Sequence, residues 1–135
     1  MSAELLIAVI GAALALAGLV TFFVKKPKKE LDKEHFRNKW RELQKKCART
    51  DTWALAIIDA DSLLDEALKK KHFKGKTMGE RLVSAQRSLS NNDGVWFGHK
   101  LRNQLVHQTD VALREKDIRH ALIGIGQALK DLGAL

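Results

Sequence analysis

Val95-Trp96-Phe97-Gly98-His99-Lys100-Leu101-Arg102-Asn103-Gln104-Leu105-Val106-His107 sorts into two faces when wound at about 100° per residue. Phe97, Leu101 and Leu105 fall on one side and should face a core. His99, Asn103 and His107 form an i, i+4, i+8 row on the other, with Arg102 beside it. Val95, Trp96 and Val106 lie within the polar arc, so that side should be partly covered by another helix or by a second subunit. A covered Arg and His need partners. The period is helical, which sets the fold class for the stretch.

Working outward, every periodic stretch from Glu30 onward is helical, and no strand-like alternation with turn chemistry appears. Phe36, Trp40, Leu43 and Cys47 recur at helical spacing and predict a first helix. Thr50-Asp51 supplies a capping-type break before a second helix through Trp53, Ile57, Ala60, Leu64 and Leu68. His72 to Lys76, containing Gly75, reads as a loop. Thr77-Met78-Gly79-Glu80 is a capping box that opens a third helix through Leu82, Ala85 and Leu89. The turn cluster Ser90-Asn91-Asn92-Asp93-Gly94 precedes the fourth helix, from about Val95 to Gln108, and a fifth carries Ile118, Leu122, Ile125, Leu129 and Leu132. Short connections make most neighbours antiparallel, so residues 30–135 should form an all-α bundle of four or five helices.

Residues 1–29 differ in kind. Leu5 to Val24 contains no charge and a single polar side chain, Thr21. Twenty such residues at about 1.5 Å rise span roughly 30 Å, the thickness of a bilayer's hydrocarbon core. A single transmembrane helix through the lipid bilayer is the direct reading, because a cleaved signal peptide would have basic residues before a shorter apolar stretch. Lys25, Lys26, Lys28 and Lys29 follow the run and nothing basic precedes it. The N-terminus should therefore face outward and the C-terminal domain the cytoplasm. Phe22 and Phe23 would sit near the inner boundary, and Pro27 should separate the anchor from the first helix of the bundle. Gly11, Ala15 and Gly18 share a helical face that suits close helix packing, although Ala and Gly are common in membrane helices anyway.

The chain has 135 residues, too few for a multidomain enzyme, a solenoid or an α/β barrel. Its net charge of +8 falls to +5 once Glu4 and the juxtamembrane lysines are set aside. One Cys, Cys47, excludes an intramolecular disulfide and suits a reducing compartment. Five histidines raise the question of metal. His99 and His107 stand two turns apart without an intervening acidic ligand, so no metal site is expected, and no cofactor is implied.

Arg102-Asn103-Gln104-Leu105-Val106-His107 resembles the Arg-polar-x-x-x-His signature of the HEPN (higher eukaryotes and prokaryotes nucleotide-binding) superfamily, small helical bundles many of which are RNases. The likeness extends to the helical layout and to the motif's place on a late helix. The resemblance implies a homodimer in which paired Arg and His residues make a composite site, with catalytic Arg102, Asn103 and His107. An imidazole can exchange protons near neutral pH, taking one from a ribose 2′-OH or giving one to the leaving 5′-oxygen. A guanidinium is permanently charged and forked, suited to the scissile phosphate. Asn103, one turn from His107, would orient the imidazole or the substrate. The implied reaction is metal-independent RNA cleavage leaving a 2′,3′-cyclic phosphate. A toxin subgroup carries Tyr two residues after the motif His; here that position is Thr109 and the chain has no Tyr, so tyrosine-based silencing does not apply.

Plainer readings accompany each of these. Arg102 pairs with Asp59, Asp61 or Asp65 of the second helix and stabilises packing. His99 and Asp61 are supporting residues of the site. Arg114 to His120 also fits a looser Arg-to-His pattern, but its charged neighbours mark a solvated face. Lys69, Lys70, Lys71, Lys74 and Lys76 either guide RNA phosphates or complement the dipole at a helix end. Trp40, Trp53 and Trp96 read as core or interface rather than as base-stacking platforms. Gly124 and Gly126 inside an apolar helix indicate close helix packing. The alternative to an RNase is a catalytically inactive, membrane-tethered dimerisation or interaction module, working with an unidentified regulatory protein.

Overall fold

The computed structural model describes residues 2–23 and 30–135, with Thr21, Phe22 and Phe23 described by backbone alone. The basic cluster and Pro27 lie outside the described residues, as do the side chains of Phe22 and Phe23. Among the described residues every regular element is helical. Helix α1 spans Ala3–Phe23, and its stretch Ala3–Val20 is long and apolar enough to cross a membrane. None of that stretch is buried against protein.

The bundle has five α-helices: α2 (Lys33–Lys45), α3 (Trp53–Lys70), α4 (Met78–Ala85), α5 (Asn92–His107) and α6 (Glu115–Asp131). Helix α3 is central and buries Ala56, Ile57, Ala60, Leu63, Leu64, Ala67 and Leu68. Each large apolar side chain so removed from water contributes about 1.5–3 kcal/mol. Phe36, Leu64, Leu68, Val95, Leu129 and Leu132 share the larger core cluster, while Ile57, Leu101, Ile118 and Ala121 form a smaller one. Helices α3 and α6 therefore run the same way. Helix α5 runs against both, with Val95 in the large cluster and Leu101 in the small one. Helix α2 also opposes α3, since its first turn meets Glu66 through His35 and its far end meets Asp59 through Lys46.

Gly94 and Gly124 set the spacing of α5 and α6. A Cβ on Gly124 would stand 2.3 Å from the Gly94 carbonyl carbon, so the two backbones are in direct contact. A Cβ on Gly126 would stand 3.0 Å from the Trp40 ring. Both glycines thus serve close packing, as their place in an apolar helix predicts.

Helix boundaries depart from the periodicity where side chains capture backbone groups. Cys47 continues the spacing of α2, yet α2 stops at Lys45 and Cys47 lies in a 3-10 turn, Lys46–Ala48. The reason is local: the Thr52 hydroxyl donates to the Lys46 carbonyl (2.6 Å) and the Trp53 indole donates to that of Cys47 (2.9 Å). Thr50-Asp51 breaks the chain as expected, but as a 3-10 turn with no side-chain cap on α3. Helix α4 ends at Ala85 rather than near Leu89. Asn92 Nδ2 donates to the carbonyls of Gln86 (2.9 Å) and Leu89 (3.1 Å), closing the turn before the helix can continue. Asn91 caps α5 by accepting from the Gly94 amide (3.0 Å).

Two helices end in left-handed residues. Gly133, at φ 78, lets the Ala134 amide reach back to the Leu129 carbonyl (2.8 Å), closing α6. His72, at φ 61, does the same for α3, with the Phe73 amide on the Leu68 carbonyl (3.1 Å).

Candidate functional site

Asp59, Asp61 and Asp65 present three carboxylates on α3, and their neighbours assign them different roles. Asp59 is taken by Lys46. Asp65 accepts a two-pronged bond from Arg81, at 2.7 Å to Nε and 3.0 Å to Nη2, and also meets Lys69 at 3.1 Å. Asp61, only 3% exposed, is left to the residues of α5.

Asp61 and three side chains of α5 form a circuit. His99 Nδ1 lies 3.0 Å from Asp61 Oδ1, and an ionised carboxylate can only accept, so the ring carries its proton on Nδ1. In the neutral ring Nε2 is then the acceptor, and it faces Asn103 Nδ2 at 3.5 Å. Asn103 Oδ1 in turn accepts from Arg102 Nη1 at 3.1 Å. Arg102 Nε returns to Asp61 Oδ2 at 3.6 Å, within ion-pair range but too long for a hydrogen bond, and that nitrogen is buried without another acceptor. The spacing of His99, Arg102 and Asn103 on one helix, opposite one acid of α3, is what makes the ring possible.

The circuit forms one wall of a cavity of about 430 Å³ between α3, α4 and α5. Arg81 and Asp65 form another wall, and Thr77 to Gly79 bring in the start of α4. A methyl on Gly79 would stand 4.0 Å from His99 Nε2, so the first turn of α4 faces that nitrogen. Thr77 Oγ1 accepts from the Glu80 amide (3.2 Å), while Glu80 Oε2 accepts from the Lys76 amide (2.6 Å) rather than from Thr77. The capping box is thus displaced by one residue on its return arm.

Of the sequence-derived site residues, Asp61, His99, Arg102 and Asn103 come together. His107 does not join them. It is the last residue of α5, exposed, one turn beyond Asn103 on the same side of the helix and outside the cavity lining. The Arg114 to His120 pattern splits apart: Arg114 pairs with Asp117 at 3.2 Å, and the His120 ring stacks on Phe97 with centroids 4.0 Å apart. Cys47 is half-buried and burial pushes its thiol up, which disfavours the thiolate a nucleophile would need. Among the described residues no three His, Cys, Asp or Glu side chains converge as metal ligands.

Arg81 is the residue that sequence reasoning missed. It is 8% exposed, and Met78, Arg81, Leu82 and Ala85 follow the i, i+3, i+4, i+7 pattern of a core stripe. A cation in that register requires an acidic partner, and half-buried Asp65 supplies it.

Burial alone would push the Asp65 carboxyl up, but hydrogen bonds and charge from Arg81 and Lys69 outweigh it and hold the group below the ordinary carboxylate range. A depressed acid contributes stability that is fully present above the unfolded value and is lost as pH falls through the folded value. Asp65→Asn should therefore be less stable than the wild type at neutral pH. The gap should close as pH drops below about 4. Urea unfolding at a series of pH values checks this, and a gap that stays constant into acid would contradict it.

Compared with known proteins, the chain matches no family model, no curated protein and no solved structure.

Proposed function

We propose that the chain is a membrane-anchored, HEPN-like endoribonuclease that cleaves RNA without metal, as a homodimer with its bundle in the cytoplasm. The observation that supports this reading is the circuit joining Asp61 of α3 to α5, which brings Arg102, Asn103 and His99 to one cavity, with His107 one turn further along the same side of α5. The bilayer is reached through α1, and the lysines after it set the orientation.

In this mechanism Arg102 binds the scissile phosphate and the charge that builds on it during in-line attack. The ribose 2′-oxygen attacks phosphorus as its proton passes to an imidazole, and the 5′-oxygen leaves with a proton from a second one. The products are a 2′,3′-cyclic phosphate and a 5′-hydroxyl. His107 of each protomer supplies these roles at the paired α5 surface, where Val106 is also exposed. His99, tied to Asp61, positions Asn103 and through it Arg102.

The test uses the full chain in lipid nanodiscs with mixed single-stranded RNA in EDTA. Wild type should yield cyclic-phosphate ends, and His107→Ala, exposed and harmless to folding, should lower the rate by at least about 100-fold. No cleavage by a folded dimer would favour the second reading, a tethered interaction module. One observation supports that second reading: Asp61 already engages both His99 and Arg102 within the protomer, as a structural role for the pair requires.

A further inference from the structure

Lys71, Lys74 and Lys76 stand in the connection between α3 and α4, and none has an acidic partner among the described residues. Their neighbours Lys69 and Lys70 do, pairing with Asp65 at 3.1 Å and Glu66 at 2.9 Å. The remaining acids nearby are Glu30 and Asp32, at the start of the bundle, and Glu80. Asp32 caps α2 and Glu80 holds the Lys76 amide.

This connection is not slack. Arg81 Nη1 donates to the Gly75 carbonyl (2.9 Å) and the Ser84 hydroxyl to that of Lys74 (2.6 Å). Gly75 at φ 154 has no room for a side chain, since a Cβ would meet the Arg81 amide nitrogen at 2.7 Å. The backbone is clamped to α4, and the side chains of Lys74 and Lys76 project into solvent.

Its position in the molecule gives the patch a partner. Glu30, Leu31 and Asp32 share a cavity with Lys70 and His72, so the end of α3 adjoins the point where the chain arrives from α1. Leu31 is itself buried in the core, which fixes that point to the bundle. Seven peptide steps separate Phe23 from Glu30, a reach of at most about 25 Å. Four further lysines lie in that stretch.

We propose that the α3–α4 connection docks on the anionic headgroups of the bilayer that holds α1, through Lys71, Lys74 and Lys76. This inference rests on the anchoring reading. Ammonium groups brought within about a Debye length, 8–10 Å, of an anionic surface are attracted to it, and salt screens the attraction. The docked bundle stands with the α2 start, the α3 end and the α6 end toward the lipid. His107, at the opposite end of α5, faces away.

The full chain is reconstituted in nanodiscs of phosphatidylcholine alone or with roughly a third phosphatidylserine, and lysine acylation is read by peptide mass. Serine-lipid discs should lower modification of Lys71, Lys74 and Lys76 about fivefold, leave the distal Lys116 unchanged, and lose the difference at high salt. Equal modification in both discs, with the chain retained through alkaline carbonate, would overturn the docking and leave the anchoring intact. Release by carbonate would overturn both. Equal protection by single-stranded RNA in phosphatidylcholine discs would overturn the lipid assignment and make the patch an RNA surface.

Discussion

Replacing Asp61 by Ala should lower the stability of the bundle by about 3 kcal/mol, and the loss should be recoverable without restoring a carboxylate. Asp61 is the one acid shared by His99 and Arg102, and its side chain is 5% exposed. Removing it strands a guanidinium whose Nε already lacks a hydrogen-bond acceptor, together with an imidazole whose Nδ1 proton has nowhere to go. Breaking one side of a buried pair costs roughly 3–5 kcal/mol, and the lower end applies here because Arg102 is 32% exposed to water.

The triple replacement Asp61→Leu, His99→Phe, Arg102→Met removes every charge of the circuit and fills the space with apolar atoms. It should return close to wild-type stability, since apolar substitutes for a buried ionic cluster are often neutral or better. Under the RNase reading it should also have no cleavage. Urea unfolding followed by tryptophan fluorescence checks both arms. A near-neutral Asp61→Ala would mean that the circuit contributes nothing to folding.

Gly124→Val should leave no folded bundle at room temperature, and Gly124→Ala should lose about 3 kcal/mol. The obstacle is main chain. A Cβ at 124 meets the Gly94 carbonyl carbon at 2.3 Å and its oxygen at 2.5 Å, and a helix backbone cannot rotate away. Relief requires α5 and α6 to separate along their contact, which loosens Val95, Leu101, Ile118 and Ile125 together. Gly126→Ala provides a graded control: its nearest neighbour is the Trp40 ring at 3.0 Å, a side chain able to shift, so the loss should be near 1 kcal/mol. Equal midpoints for the two alanine variants would show that the interhelical spacing is not set at Gly94 and Gly124.

The helices were legible because each buries one stripe, and a buried stripe leaves its period in the sequence. Boundaries were less so, because Thr52, Trp53 and Asn92 end or begin helices by hydrogen-bonding carbonyls several residues away. No local propensity encodes that. The polar row of α5 was readable for the same reason as the core stripe opposite it. Asp61 was legible as a supporting residue, but its choice over Asp65, which shares its side of α3, is settled only by Arg81 claiming Asp65. Arg81 itself left a trace, a charge in a core register. The separation of His107 from the cavity follows from where α5 stops, and the last turn of a helix is the part that periodicity specifies least.

Leu31, fixed in the core so soon after α1, has a consequence for symmetry. If α1 anchors the chain as proposed, a bundle joined to the bilayer through seven peptide steps keeps the same end toward it. Two copies inserted in the same sense can then be exchanged only by a two-fold axis along the membrane normal, because any axis lying in the plane would send one anchor to the wrong side. The α5 helices of such a pair point the same way with respect to the membrane. In the proposed dimer equivalent residues would stand at equal height above the lipid, with Arg102 of one protomer matched in level by Arg102 of its partner.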